Sequence, residues 1–269
     1  MAPSAILLDA GGVLVFPAPS HVLPPLRAAG LDPDLATLER AHYQAMANQD
    51  AAEVPPVSAT WWRDYLVPYV AACGVAPDRC EAIADQMAGH VEGRSWAHAG
   101  LGARDGLRAV AALGVPIGVV SNSDGSVEAD LRSVGMCYAP APAKFPGPGA
   151  PGPGASGPAG SGPAGSGPAD HAPAAPVPDG AVPVGVIIDS AVVGVAKPDP
   201  AIFAIALSAL GVPPDGTVLH VGDSLRYDVA GALAAGLQPV HMDPFSLCPA
   251  PDDHLHIRRL ADLPALAGG

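Results

Sequence analysis

Residues Ala5–Leu14 read AILLDAGGVL: four apolar residues, an aspartate, then a pair of glycines. An uninterrupted apolar run this short reads as a strand buried on both faces, as in a parallel sheet covered by helices on either side. Asp9 then stands at the C-terminal end of that strand, where open α/β sheets bind their ligands. Working outward, four more apolar runs follow: Val115–Val120, Val184–Ile188, Val218–Val221 and Pro239–Met242. Helical patterns separate them at Gly106–Leu113, Ser126–Val134, Pro200–Leu210 and the alanine-rich Asp228–Ala235. The alternation predicts an α/β fold, a doubly wound parallel sheet.

Three further strand ends carry polar residues beside glycines. Ser121 and Asn122 end the second run, within GVVSNSDG. Lys197 lies beyond the third, within GVAKPDPAIF. Asp223 ends the fourth, within HVGDSLRYDVAGALAAG, with Asp228 five residues on. Together with Asp9, these residues fall on the rim where the active site of such a sheet belongs.

Two segments interrupt the rhythm. Residues 17–96 read as helices alone, over Val22–Ala29, Leu35–Ala47, Ser58–Ala72 and Arg79–Val91. Pro68 is expected to kink the third. Trp61, Trp62, Tyr65 and Tyr69 cluster there, in a chain that is 4% aromatic. Such a stripe packs a helical bundle, or places one ring in a pocket. The other segment, residues 139–183, holds 13 Pro and 10 Gly with an SGPAG repeat that lacks collagen's three-residue period. It has too little apolar surface to offset ordering entropy and reads as a disordered linker, or as a docking segment for a proline-recognising partner.

The charge balance narrows the partners. Thirteen Lys plus Arg against 26 Asp plus Glu give a net charge of −13. This argues against nucleic acid, which requires clustered basic residues. Apolar runs fall short of the roughly 20 residues that span a bilayer, so no membrane partner is expected. Met1–Leu8 lacks the basic start of a secretory signal. Cys73, Cys80, Cys137 and Cys248 form no CxxC pair, which fits a reduced, cytoplasmic setting.

The four motifs, in this order, resemble the haloacid dehalogenase-like (HAD) superfamily of hydrolases. The resemblance covers nearly the whole chain apart from the linker. It implies a Rossmann-like core at 1–16 and 97–269 with the linker inserted in it, and a small helical cap at 17–96. The tail HIRRLADLPAL looks like the family's last strand and helix. Asp9 is then the expected nucleophile, forming an aspartyl-phosphate and splitting one hard step into two. Asp9, Asp223 and the Gly11 carbonyl make a hard oxygen site suited to Mg²⁺, with Asp228 a further ligand or an anchor. Ser121, Asn122 and Lys197 can hold phosphoryl oxygens, and Lys197 can keep Asp9 ionised. The implied function is a Mg-dependent phosphatase acting on a small phosphorylated metabolite.

One position departs from the family's phosphatases. They carry a second Asp two residues after the nucleophile, as general acid and base, and here that residue is Gly11. Losing a general acid costs about 10²–10⁴-fold in rate. A 2-haloacid dehalogenase needs no such acid, and Arg40 is its candidate halide-binding residue. Phosphonate-cleaving members need a cap lysine, which residues 17–96 lack. A third alternative is a weakly active or non-catalytic binding protein. Asp252, Asp253, His254 and His256 look like a metal cluster but read as a solvated loop before the last strand. His220 reads as a hydrogen-bonded imidazole in the core.

Overall fold

A computed structural model describes residues 2–52, 61–89, 95–140 and 177–267. Ten strands succeed one another along the described chain: β1 (Ala5–Leu8), β2 (Val15–Phe16), β3 (His98–Ala99), β4 (Ile117–Ser121), β5 (Cys137–Tyr138), β6 (Val182–Pro183), β7 (Val186–Asp189), β8 (Val218–Gly222), β9 (Gln238–Met242) and β10 (Leu255–Ile257). Six of them form the central sheet in the order β10-β9-β8-β1-β4-β7. Every pairing in it is parallel. With β1 in the middle, the chain builds one side through β4 and β7, then crosses to β8 on the other. The switch of direction beside β1 opens the crevice in which ligands of doubly wound sheets sit.

Alternation along the buried strands feeds two cores. Ile6 and Leu8 of β1 join Val119, Val221, Leu107 and Leu131 on one face. Ala5 and Leu7 join Val186, Ile188, Ile202 and Phe203 on the other. This follows from the two-residue period of a strand, and it explains why β1, β4, β7 and, apart from His220, β8 read as apolar runs. Helix Pro200–Leu210 begins and ends as the sequence indicates. Asp199 caps it by accepting the Ala201 N–H, Pro200 starts it, and Gly211 closes it in the left-handed region.

The segment after β1 is helical, with helices Pro19–Ala28, Leu35–Ala51, Trp61–Ala72 and Cys80–Gly89 around a core of their own. Tyr65 and Tyr69 are fully buried within it, and Pro68 is accommodated inside its helix. Both ends of this insertion leave the sheet side by side, because β2 pairs antiparallel with β3. The expected helix extensions at 58–60 and 90–91 lie outside the described residues, as does 141–176 of the Pro/Gly-rich segment. At that segment's edges the chain is paired: β5 runs parallel to β6, and Ala139 and Val182 are buried. Among the described residues, no helix is long and apolar enough to cross a membrane.

The described flanks pack into the core of the sheet through Ala139 and Val182. Replacing residues 141–176 by a short Gly/Ser bridge is expected to preserve a single cooperative thermal transition. Its midpoint should shift by less than about 4 °C, equivalent to about 1 kcal/mol in a chain of this size. Loss of soluble, cooperative unfolding would show that the segment belongs to the fold.

Candidate active site

The described strand ends converge on one buried ion pair. The Ala10 N–H donates to Asp9 Oδ1 at 2.7 Å, and Lys197 Nζ lies 2.8 Å from Asp9 Oδ2. The same ammonium lies 2.6 Å from Asp228 Oδ1. His220 Nε2 is 2.9 Å from that oxygen, and the Ser224 N–H donates to Asp228 Oδ2 at 3.1 Å. Lys197 is only 1% exposed. Gly222 makes this possible, because a Cβ there would sit 2.0 Å from Asp228 Cγ.

The partners do not share the charge equally. Burial disfavours the ionised form of Asp228, but Lys197 and His220 outweigh it and hold its carboxyl well below the usual range. Burial also works against the ammonium, yet Asp228 and Asp9 keep Lys197 above the ordinary lysine value. Asp9 is the carboxyl left over. Burial pushes it up to about 7 despite Lys197, with Asp228 and Asp223 adding to the rise. Two carboxylates hold the ammonium, and Asp223 adds a third carboxylate oxygen within 4.8 Å of theirs.

That imbalance suits a cation. Oxygens of Asp9, Asp223 and Asp228 lie within 4.8 Å of one another. Both oxygens of Asp228 already hold Lys197, His220 and Ser224, so this residue anchors the lysine. Asp9 and Asp223 contribute the other two oxygens of this group, a carboxylate set of the kind hard divalent cations prefer.

Asn122 makes a pair of contacts that its place in the motif does not reveal. Its Nδ2 donates to the Lys197 carbonyl at 3.0 Å, and its Oδ1 accepts the Lys197 N–H at 2.8 Å. The side-chain amide thus fixes the lysine's backbone, while Asn122 also lines the cavity beside Ser121 and Lys197. Ser121 is buried at the end of β4 and borders the cavity above Asp9. The loop after it is held from β7: Asp189 accepts the N–H groups of Gly125 and Ala191 at 3.0 Å and of Val127 at 3.3 Å. Asp189 was missed in the sequence, although it ends a strand as the other site residues do.

The helical insertion reaches into the site at several points. His42 Nε2 lies 2.7 Å from Asp223 Oδ2, while His42 Nδ1 lies 2.9 Å from the Tyr65 hydroxyl. The Tyr43 hydroxyl donates to the Gly12 carbonyl at 2.5 Å. Gly12 adopts φ +67°, and a Cβ there would come within 2.2 Å of Asp223 Oδ2. Asp50 accepts from Ser224 Oγ and the Leu225 N–H, both at 2.7 Å, and burial pushes its carboxyl up to about 6. Trp96 covers Gly11, where a Cβ would meet its ring at 3.2 Å. The one sequence signal for His42 is a polar residue in the buried stripe Leu38–Ala41–Ala45 of its helix.

His42, Gly11 and Ser224 line a cavity of about 430 Å³ that also takes in Asp9, Ser121, Lys197, Asp223, Trp62 and Trp96. Among the described side chains of the aromatic cluster, Trp62 lines the pocket. Arg40 is not among the lining residues; it is exposed and stacks over the Phe245 ring at 5.1 Å. His220 is the buried, hydrogen-bonded imidazole expected, edge-on to Phe203.

Residues 172–236 match the sequence profile of the haloacid dehalogenase-like hydrolases. Phosphoserine phosphatase of Thermus thermophilus is 44% identical over 57 residues, 21% of this chain and 22% of that protein. The chain thus matches about a fifth of the length of that relative. Haloacid dehalogenase-like hydrolase domain-containing protein 3 of Danio rerio is 25% identical over 219 residues, 77% of this chain and 69% of that one. Among solved structures, a HAD-hydrolase of Bacillus subtilis, YfnB, bound to magnesium, covers all of both chains with a TM-score of 0.54 at 14% identity.

The raised Asp9 carboxyl has a consequence for stability. An Asp with a folded value near 7 and an ordinary value of 3.8 withholds stability once the unfolded chain ionises. The penalty grows as pH rises from about 4 to about 7 and then levels off. Relative to Asp9→Asn, the thermal midpoint of the wild-type chain is expected to fall as pH rises from about 4 to about 7. Melting curves of both proteins across that range check it; a constant difference between the midpoints would contradict it.

Proposed function

The chain belongs to the haloacid dehalogenase-like hydrolase superfamily, and on that premise we propose that it is a Mg²⁺-dependent phosphatase acting on a small phosphorylated metabolite. The observation that carries this reading is the buried Asp9–Lys197–Asp228 ion pair with an Asp223 oxygen within 4.8 Å of both carboxylates. Mg²⁺ held by Asp9, Asp223 and the Gly11 carbonyl would supply positive charge beside the transferring phosphoryl group and favour ionised Asp9.

The chain's own residues then account for the chemistry. An Asp9 carboxylate oxygen forms a bond to phosphorus as the bond to the leaving oxygen breaks. Lys197, fixed through Asp228 and Asn122, steadies Asp9 and neutralises phosphoryl oxygens. The Ser121 hydroxyl donates to the same oxygens. Water next cleaves the aspartyl-phosphate, releasing inorganic phosphate and restoring the carboxylate. Gly11 brings no proton donor to the leaving oxygen, and Trp96 limits the room for one. The departing oxygen must take its proton from solvent or from the substrate, so esters that leave as stable anions are favoured.

The dehalogenase alternative loses its candidate arginine, because Arg40 stacks on Phe245 away from the cavity. Phosphatase-named relatives support the phosphoryl reading. Hydrolysis of p-nitrophenyl phosphate is expected to require Mg²⁺ and to fall by at least about 10³-fold in Asp9→Asn, the scale of losing a nucleophile. Turnover unchanged by that substitution would overturn the proposal, and halide release from 2-haloacids without metal would replace it.

Leaving-group dependence gives an independent check. With no general acid at residue 11, an alkyl phosphate is expected to turn over more slowly than p-nitrophenyl phosphate by about 10²–10⁴-fold. Equal kcat/KM for the two would show that another group protonates the leaving oxygen.

A further inference from the structure

Beyond the carboxylate cluster, the ends of β9 and β10 bring together a second set of ligating side chains. β10 pairs parallel with β9 so that His256 stands opposite His241. His254 immediately precedes β10, its ring stacked on that of His256 with centroids 4.5 Å apart. Cys248 comes from the connecting loop, which Asp243 fixes by accepting the Leu247 N–H at 2.8 Å and the Cys248 N–H at 3.0 Å. One atom from each of His241, Cys248, His254 and His256 lies within 4.8 Å of the others. We propose that these four residues form a second metal site, for a borderline-soft ion such as Zn²⁺, distinct from the Asp9–Asp223 site.

Two of the separations come close to those of tetrahedral coordination. Zn–N bonds of about 2.0–2.1 Å and a Zn–S bond of about 2.3 Å place two nitrogens about 3.3–3.4 Å apart, and sulfur about 3.5–3.6 Å from nitrogen. His254 Nε2 lies 3.3 Å from His241 Nδ1 and 3.8 Å from Cys248 Sγ. The supporting contacts are also of the right kind. His241 Nε2 lies 3.2 Å from the Asp223 carbonyl, which can only accept, so Nε2 carries the proton and Nδ1 presents its lone pair. His256 Nε2 is buried without a hydrogen-bond partner. One thiolate and three imidazoles select Zn²⁺-like ions over Mg²⁺. His241 and Cys248 border a cavity of about 510 Å³, which gives an ion a way in. On binding, the Cys248 thiol releases its proton to solvent as the sulfur–metal bond forms, with no change of oxidation state.

The test uses the whole chain and Co²⁺ as a spectroscopic stand-in for Zn²⁺. Stoichiometric Co²⁺ is expected to give intense visible bands of tetrahedral geometry together with a thiolate-to-cobalt charge-transfer band. Zn²⁺ should displace it, and excess Mg²⁺ should not. Cys248→Ser should abolish the charge-transfer band. His254→Ala should weaken binding by more than about 100-fold, the upper range for losing a ligand's supporting contact. Asp9→Asn should leave the spectrum unchanged, which separates this site from the proposed phosphatase centre. Zn²⁺ should also protect Cys248 from alkylation until a chelator is added, a readout that needs no variant. Absence of the thiolate band in the wild-type chain, or its survival in Cys248→Ser, would overturn the proposal and leave His254 and His241 as a simple hydrogen-bonded pair.

Discussion

A lysine ammonium buried between two carboxylates sets the terms for the rest of the core. Lys197 can be 1% exposed only because Asp228 and Asp9 lie within 2.8 Å of its nitrogen. Desolvating such a charge costs several kcal/mol unless its partners are close and themselves well hydrogen-bonded. Each element around it meets part of that requirement. β8 ends in Gly222 so that Asp228 can pack beneath it, and β4 hands over to Asn122, which clasps the lysine's backbone. β1 supplies Asp9. The site is therefore less a set of residues placed on a finished sheet than a condition for how four strand ends can meet.

Much of this arrangement is legible in the sequence, for a specific reason. A polar residue that interrupts an apolar run at a strand end has few reasons to be there, so Asp9, Ser121, Lys197 and Asp223 declare themselves. Local capping is similarly transparent: Asp199, Pro200 and Gly211 define a helix almost without ambiguity. Less legible is what depends on docking between distant segments. His42 meets Asp223 across 181 positions, and Asp50 meets Leu225 across 175. Nothing near either residue announces its partner. Asn122 belongs to the same class, since its role is decided by a backbone 75 residues away. The alanine-rich stretch beginning at Asp228 illustrates a local failure. A π-helical turn over Leu225–Val229 precedes the α-helix Ala230–Ala234, because Ser224 caps that turn and Asp50 draws in its first N–H groups.

The imidazoles near the C-terminus show the limit from another direction. Read along the chain, Asp252 to His256 is a polar loop. Read across the sheet, the parallel register of β9 and β10 sets His256 against His241 and draws Cys248 towards them. Register converts residues that are scattered in sequence into neighbours, and composition alone carries no trace of it.

The two-residue pairing of β2 with β3 has an architectural consequence. Everything from Pro17 to Ala97 enters and leaves the sheet through this one ladder, so the insertion behaves as a cassette on a single stalk. Exchanging it for another helical segment would leave every hydrogen bond of the central sheet untouched. What the newcomer would have to reproduce is a three-point latch: an imidazole on Asp223, a hydroxyl on the Gly12 carbonyl and a carboxylate on the turn after Ser224. The newcomer would also have to fill the places where the two cores meet, Tyr43 packed into the sheet core and Tyr227 into the helical one.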